Sequence, residues 1–342
     1  MTMYMITKNR PTLQDVASAA AVSTATVSRA LNDPDKVAKP ARDRIDAAIA
    51  KLGYIPNFGA RVLATNRTNI LGAIIPTLSN AMFASGIQAF QEALDKDGIS
   101  LLIATSNYDP EKELQQIKSL VSQGASGLLL IGNDRGQDTR EYLRSRRTPY
   151  VIGWCHDGDD DQTFVGFDNA IAADDAASRV IDLGHRKIGI IAGVCTYNDR
   201  ARNRRDGVIA ALRRHDILPL HMKECPYRIE AGRQACADML SSANPPTAII
   251  CGNDVLAAGA MVAVRESGLN VPDDVSVIGF DDIGLASVVS PPMTTVRVPQ
   301  IEMGRAAAAA LLALVAGETV NDVQLDTHFI ERSSLAPPKT TA

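Results

Sequence analysis

Two groups of residues in this 342-residue chain carry side chains suited to recognition. The first is Ser23, Thr24, Ala25, Thr26, Ser28 and Arg29, a cluster of short hydroxyls, a methyl and one guanidinium. Hydroxyls suit phosphates and base edges, a methyl suits thymine, and a guanidinium can take two acceptors of guanine at once. The second group is dispersed. Asn253 follows the apolar run Ala248 to Cys251, and Asp281 follows Val275 to Phe280. The stretch Asp199-Arg200-Ala201-Arg202-Asn203-Arg204-Arg205-Asp206-Gly207 follows Ile188 to Ala192. An amide and a carboxylate can each make paired hydrogen bonds to sugar hydroxyls, and a guanidinium at a helix start offers a planar fork to a carboxylate or phosphate. Simpler roles stay open: Asp281 as a helix or turn cap, and the arginine run as a solvated face.

The elements that must position the first group are short and helical. Apolar residues recur at Leu13, Val16, Ala17 and Ala20, then at Val27, Ala30 and Leu31, then at Ile45, Ala48, Ile49 and Leu52. Ser23 suits the N-cap of the second helix, Pro40 suits the first turn of the third, and Gly53-Tyr54-Ile55-Pro56 stops it. Ala20, Ala21 and Val22 separate the first two helices, which is helix-turn-helix spacing. A plain helical hairpin would show the same periodicity.

From Ile70 onward, short apolar runs alternate with amphipathic stretches, as in successive β-α units. Strands are expected at Ile70 to Pro76, Ser100 to Thr105, Gly127 to Ile131, Tyr150 to Gly153, Ile188 to Ala192, Ala248 to Cys251 and Val275 to Phe280. Helices are expected at Ala84 to Asp97, Glu111 to Gln123, Asn169 to Leu183, Arg204 to His215, Ile229 to Ser241 and Asp254 to Ser267. These exceed one six-stranded sheet and imply two α/β subdomains with a seam near Val165 to Asn169.

Composition narrows the function. The net charge of -4 hides an asymmetry: residues 1–68 hold ten Lys/Arg against five Asp, giving +5 and leaving -9 for the remainder. The amino-terminal part is therefore built to meet an anion. The longest apolar run, Ala306 to Ala316, is too short for a membrane span, and no apolar leader follows Lys8 and Arg10, so a cytoplasmic location is expected. Five cysteines (Cys155, Cys195, Cys225, Cys236, Cys251) and five histidines (His156, His185, His215, His221, His328) show no metal-ligand spacing, and neither a metal nor a cofactor is expected. The first strand leads into Pro76-Thr77-Leu78-Ser79-Asn80 rather than a glycine-rich dinucleotide turn. No Walker loop, His-Glu-x-x-His or Gly-x-Ser-x-Gly occurs, which argues against an α/β enzyme.

Several stretches resemble one family in register. Thr12-Leu13-Gln14-Asp15-Val16-Ala17, Val22-Ser23, Thr26-Val27-Ser28-Arg29-Ala30-Leu31-Asn32 and Leu52-Gly53-Tyr54-Ile55-Pro56-Asn57 are similar to the amino-terminal signature of the lactose-repressor (LacI/GalR) transcription regulators. Leu71-Gly72, Asp182-Leu183-Gly184-His185-Arg186-Lys187-Ile188-Gly189, Gly252-Asn253-Asp254 and Val271 to Asp282 resemble that family's core, so the likeness runs over about residues 11–332. The segments 11–14 and 53–57, with Asp168-Asn169 as a hinge, look most like gluconate-type repressors.

The resemblance implies an α/β protein in three parts: a three-helix helix-turn-helix DNA-binding domain (1–56), a hinge helix and linker (57–68), and a core of parallel sheets like type I periplasmic binding proteins (69–342). The core divides into 69–167 with 298–327, and 168–297 with 328–342. Sequence reading falls on Thr24, Ala25 and Arg29, with Thr12, Ser23, Thr26, Ser28, Asn32 and Asn57 as supporting DNA contacts. Leu63 takes the place of the hinge leucine that wedges into the minor groove, or else is a linker residue on the core's surface. Ala21 replaces a turn glycine and Ala38 replaces a capping serine.

The ligand cleft implied by the resemblance lies at the carboxyl ends of the strands. Asn253, Asp281, Arg202 and Arg204 belong to it, with Phe83 and Asn80 from the facing subdomain. Trp154 either stacks on a sugar ring there or is plain core. The expected partners are pseudo-palindromic operator DNA, a sugar or sugar-acid effector, and a second copy of the chain in a homodimer or higher assembly. Repression is the expected output, with effector-dependent activation or co-repression as the alternative. A transport receptor, which would lack the basic helices, is disfavoured.

Overall fold

The computed structural model describes residues 11–55, 68–156 and 162–339. The chain falls into two units, 1–68 and 69–342. Asn57, Leu63 and the expected hinge helix lie outside the described residues.

The first unit is built from α1 (Leu13–Ala20), α2 (Thr24–Asn32) and α3 (Lys39–Leu52). Val16, Ala17, Ala20, Val27, Ile45, Ala48 and Tyr54 form its core. A capping box starts α1: Thr12 Oγ1 accepts from the Asp15 amide at 3.3 Å, and Asp15 Oδ2 accepts from the Thr12 amide at 2.8 Å. The Thr12 amide and the Thr12 hydroxyl both donate to the Asp15 carboxylate and hold it below its usual range. Ala21 ends α1 in the left-handed region, at φ 51 and ψ 51, where glycine would sit without strain. The Arg44 guanidinium, reaching from α3, donates to the Ala20 carbonyl at 3.1 Å and ties that turn down. Ala38 supplies no side-chain cap to α3, and Gly53 ends that helix at φ 63.

The second unit holds two parallel sheets. The first comprises β1 (Ile70–Ile75), β2 (Ser100–Thr105), β3 (Leu128–Ile131), β4 (Tyr150–Gly153), β5 (Thr163–Gly166) and the late β11 (Val323–Gln324), ordered β11-β5-β4-β3-β1-β2. Helices α4 (Ala81–Asp95), α5 (Pro110–Ser122) and α6 (Gln137–Arg146) connect them. The second sheet orders β6 (Ile188–Gly193), β7 (His221–Cys225), β8 (Ala248–Cys251) and β9 (Ser276–Ile278) as β7-β6-β8-β9. Its helices are α7 (Asn169–Asp182), α8 (Asp199–Arg214), α9 (Ile229–Leu240), α10 (Asp254–Glu266) and the short α11 (Gly284–Val288).

The chain leaves the first sheet after β5, where Asp168 Oδ1 accepts from the Ala170 and Ile171 amides and starts α7. It returns through β10 (Thr295–Arg297) into α12 (Gln300–Ala316) and β11, and β12 (His328–Ile330) then pairs antiparallel with β10. Helix α12 is the apolar run that was too short for a membrane. It packs on α4 at a backbone-to-backbone approach, where a Cβ on Gly304 would stand 2.1 Å from the Gly86 carbonyl oxygen. His185 is a buried strut, bonding Thr247 Oγ1 at 2.9 Å and the Ala336 carbonyl at 2.8 Å. No helix among the described residues is long and apolar enough to cross a membrane.

Candidate nucleic-acid interface and ligand cleft

Helix α2 presents the first candidate surface. Val27 turns inward to the core, while Ala25 and Arg29 are exposed and Thr24, Thr26 and Ser28 are half-buried. Ser23 is the N-cap: its Oγ accepts from the Thr26 amide at 3.1 Å and shares a 2.8 Å bond with Thr26 Oγ1. Three of the sequence-expected contacts therefore have a local structural task as well, Thr12 and Ser23 in capping and Thr26 as Ser23's partner. Ala25 and Arg29, four apart, lie one turn apart on one face, with Thr24 beside Ala25 at the helix start.

The candidate cleft lies within the second unit, between the carboxyl ends of the two sheets, and Arg204 is its centre. Its Nε donates to Asn169 Oδ1 at 2.8 Å, and its Nη1 donates to the Gly252 carbonyl and to Asp281 Oδ1, each at 3.0 Å. Its guanidinium carbon lies 3.9 Å from the centroid of the Phe280 ring. Asn169 in turn donates to the Trp154 carbonyl at 3.0 Å, linking Arg204 to the first subdomain. Burial pushes the Asp281 carboxyl up to about 6 against the pull of Arg204. Asp281 holds φ 108, a strained backbone for a non-glycine residue at a strand end.

Around this pair, Asn80, Met82, Phe83, Tyr108, Asn198, Arg200 and Tyr227 line a narrow cavity. Burial raises both Tyr108 and Tyr227, so both are neutral hydroxyl donors at ordinary pH. Arg200 donates to Asp199 Oδ1 at 2.6 Å, and its guanidinium lies where a side chain on Gly132 would begin, 1.4 Å from the ideal Cβ position. Gly132, at φ 74, is thus required both by conformation and by this close approach.

The expected residues divide. Asn80, Phe83, Arg204 and Asp281 line the cavity, and Asn80 also caps α4 by accepting from the Met82 amide at 3.1 Å. Arg202 does not line it; it sits at the rim and donates to Asp134 Oδ2 at 2.9 Å, across to the first subdomain. Asn253 does not line it either: its Oδ1 caps α10 through the Leu256 amide at 2.9 Å, and its side-chain nitrogen is buried without a partner. Trp154 is core. It is fully buried, edge-on to Phe83 at 5.9 Å between ring centroids, and fills the space beside Gly86, so no face is left for a sugar.

Tyr108, Asn198, Arg200 and Tyr227 are additional. Helix α8 starts at Asp199 rather than at Arg204, so Arg200 and Arg204 are four apart on one inward face while Arg202 points elsewhere. Helical spacing applied to the arginine run would have selected that pair.

Comparison with known proteins matches both units. Residues 12–57 fit the pattern of bacterial regulatory proteins of the lacI family, and residues 177–335 fit a periplasmic binding protein-like domain. The HTH-type transcriptional repressor CytR of Escherichia coli (strain K12) is 33% identical over 332 residues, covering 94% of this chain and 96% of that one. The chain belongs to the LacI family of bacterial regulatory proteins. The repressor PurR of Haemophilus influenzae (strain ATCC 51907) is 36% identical over 306 residues, 88% of this chain and 90% of that protein. The crystal structure of a Lac repressor dimer bound to operator and the anti-inducer ONPF superposes with a TM-score of 0.85 at 28% identity, covering 96% of this chain and all of that one. This LacI-family chain is thus a DNA-binding transcription regulator rather than an enzyme, and its α/β core contains the periplasmic binding protein-like domain.

Proposed function

We propose that this regulator is a cytoplasmic homodimeric repressor that reads a pseudo-palindromic operator and is controlled by a small hydroxyl-rich effector, a sugar or sugar acid, bound on Arg204 and Asp281. We assign it a DNA-binding domain over 1–56, a hinge and linker over 57–68, and a two-part effector core over 69–342. Thr24, Ala25 and Arg29 contact bases, and Thr12, Ser23, Thr26, Ser28, Asn32 and Asn57 position the duplex. Leu63 wedges into the minor groove. The Lac repressor dimer of similar fold, which holds operator and anti-inducer together, supports the pairing of these two roles.

The observation that carries the reading is the buried Arg204–Asp281 pair in a cavity walled by Phe83, Tyr108 and Tyr227. Aromatic faces with a few converging polar groups make a small-molecule site. The pair presents donors and acceptors side by side, the pattern that adjacent hydroxyls satisfy. An effector acts on DNA only through its preference for one core conformation over another.

The test is a thermal-shift screen of the full chain against sugars, sugar acids and nucleosides. A ligand of the folded state raises the melting temperature. The reading holds if a hit raises it in the wild type and not in Asp281→Asn. It fails if the hit stabilises both equally.

A further inference from the structure

Helix α2 has little packing to fix its angle. Among residues 24–31 only Val27 is buried, and the face that carries Ala25 and Arg29 is exposed. A recognition helix discriminates between bases only when its side chains meet the base edges in the right geometry. Something besides burial must therefore aim it.

The aim turns on one dihedral. Ala21, at φ 51 and ψ 51, is the left-handed residue in the turn between α1 and α2. That conformation is costly for alanine, and a change of φ there would swing α2 against α1. The carbonyls that end α1 have different partners. Ala17 accepts from the Val22 amide at 3.0 Å and Ser18 from the Ala21 amide at 3.3 Å, whereas Ala20 accepts from Arg44 Nε, reaching over from α3, at 3.1 Å. The Ala20 oxygen belongs to the planar peptide unit that joins Ala20 to Ala21, and the tilt of that plane goes with φ of Ala21. Holding the oxygen holds the dihedral.

Arg44 is itself braced, since its Nη1 donates to the Pro40 carbonyl one turn back in α3 at 3.3 Å. Helix α1 has no basic residue in its own last turn, so Arg44 also brings the cation that a helix carboxyl end favours. Arg42 offers a contrast on the same helix. Its Nη1 reaches the Pro34 carbonyl at 3.4 Å and the exposed Asp35 at 3.6 Å, both beyond the far end of α2.

We propose that Arg44 is a positioning residue for sequence reading: by holding the Ala20–Ala21 peptide it sets the angle at which α2 meets the major groove, and so the preference for one base sequence over another. It does this without touching a base. The proposal rests on the reading of α2 as the base-contacting helix.

The experiment measures the full chain by fluorescence anisotropy against two duplexes, one selected by the wild-type chain from random-sequence DNA and one a scramble of equal length and composition. The quantity read is the ratio of the two affinities. Arg44→Met keeps the stem and loses the donor, and the ratio should fall at least about fivefold, as the loss of one hydrogen bond would give. Affinity for the scramble, and its salt dependence, should change no more than in Arg42→Met, which removes the same charge from the same helix. Arg44→Lys, which keeps a charged donor, should recover most of the ratio. Ala21→Gly takes the left-handed turn without strain and should make the tie dispensable, so that adding Arg44→Met to it lowers the ratio less than about twofold. Circular dichroism at the assay temperature confirms that each variant is folded. An equal fall on both duplexes with a shallower salt dependence would make Arg44 a phosphate contact. A lower melting temperature with an unmoved ratio would make it a stabiliser only, and an equal fall with alanine or glycine at position 21 would show that it does not act through the turn. Each of these overturns the inference. Arg29→Ala separates it from the reading beneath: a ratio unmoved there would overturn the reading of α2, whereas a ratio lowered there and unmoved in Arg44→Met would overturn the Arg44 assignment alone.

Discussion

Arg204 and Asp281 stand 77 residues apart in the chain and 3.0 Å apart in the fold, joined at the meeting of α8 with the strand end after β9. Both side chains are buried, 5% and 1% exposed. A buried pair is costly to split, since removing one partner leaves the other charge without compensation. Asp281→Ala should therefore destabilise the core by about 3 kcal/mol or more, whereas Asp281→Asn, which keeps an acceptor for Arg204, should cost less. Denaturant melts of the two variants check the order. A smaller loss in the alanine variant would contradict the pairing.

Arg29 is exposed on α2 and belongs to none of the ion pairs among the described residues. Its truncation should not disturb the fold. Arg29→Ala should weaken operator binding by about 1–3 kcal/mol while leaving effector affinity unchanged. Fluorescence anisotropy with labelled duplex and effector titration measure both. Loss of both together would indicate misfolding.

Ala21 holds a left-handed backbone at the turn between α1 and α2, and Ala38 starts α3 without a side-chain cap. Glycine relieves the first, and serine supplies the second. Ala21→Gly and Ala38→Ser should each raise the stability of the DNA-binding unit by about 0.5–1 kcal/mol. Thermal melts of the single and double variants read this directly, and a drop in either single variant would refute it.

Asp254 gives a pH signature. Its carboxyl, buried at the start of α10, accepts from Thr295 Oγ1 at 2.5 Å and from the Ile283 amide at 2.8 Å. Burial, with repulsion from Asp281, pushes it up to about 8. A carboxyl raised by folding holds its proton more tightly in the folded state than in the unfolded one. Its contribution to stability is therefore full below about pH 4 and fades as pH rises toward 8. Asp281, raised to about 6, adds to the same trend over the lower part of that window. Asp254→Asn removes one titrating group, so its melting temperature should fall less than the wild type's between pH 5 and pH 8. A parallel pair of curves would contradict the shift.

The two subdomains are also tied at the cleft rim. Asp134 accepts from Arg202 at 2.9 Å, and Asp199 accepts from the neighbouring Asn133 amide at 2.7 Å. Arg202 is 39% exposed along its side chain, so its pair is worth on the order of 1 kcal/mol or less. Arg202→Ala should leave stability nearly intact but speed effector release several-fold, because one of two rim ties is gone. Stopped-flow dissociation checks it, and an unchanged release rate would rule out the tie.

Much of this arrangement is legible in sequence because its signals are local. Caps at Thr12 and Ser23, the stop at Gly53, and the apolar runs of β1 to β4, β6 and β8 follow from nearest neighbours. Helix α6 is hidden by its polarity, since QDTREYLRSR offers only Leu143 and Thr139 to the core. Strand β7, HMKEC, runs along a sheet edge and carries no apolar block. Within the cleft, Asp281 stands where a strand end announces it and Arg204 where helical spacing does, but Tyr108 and Tyr227 come from loops whose approach is fixed only by tertiary packing. Trp154 and Asn253 carry recognition chemistry, yet the fold uses one for volume and the other for a helix cap.

The central claim is that one chain reads a duplex and lets a small molecule alter that reading. It is tested most directly by anisotropy titration of the full-length protein against labelled duplexes tiled through its own genomic neighbourhood, at low and physiological salt, with and without the ligand found by thermal shift. The account predicts one duplex bound far more tightly than the rest, with an affinity that falls with salt and shifts at least about tenfold on adding that ligand. Uniform weak binding to every duplex, or a selected duplex whose affinity ignores the ligand, would contradict it.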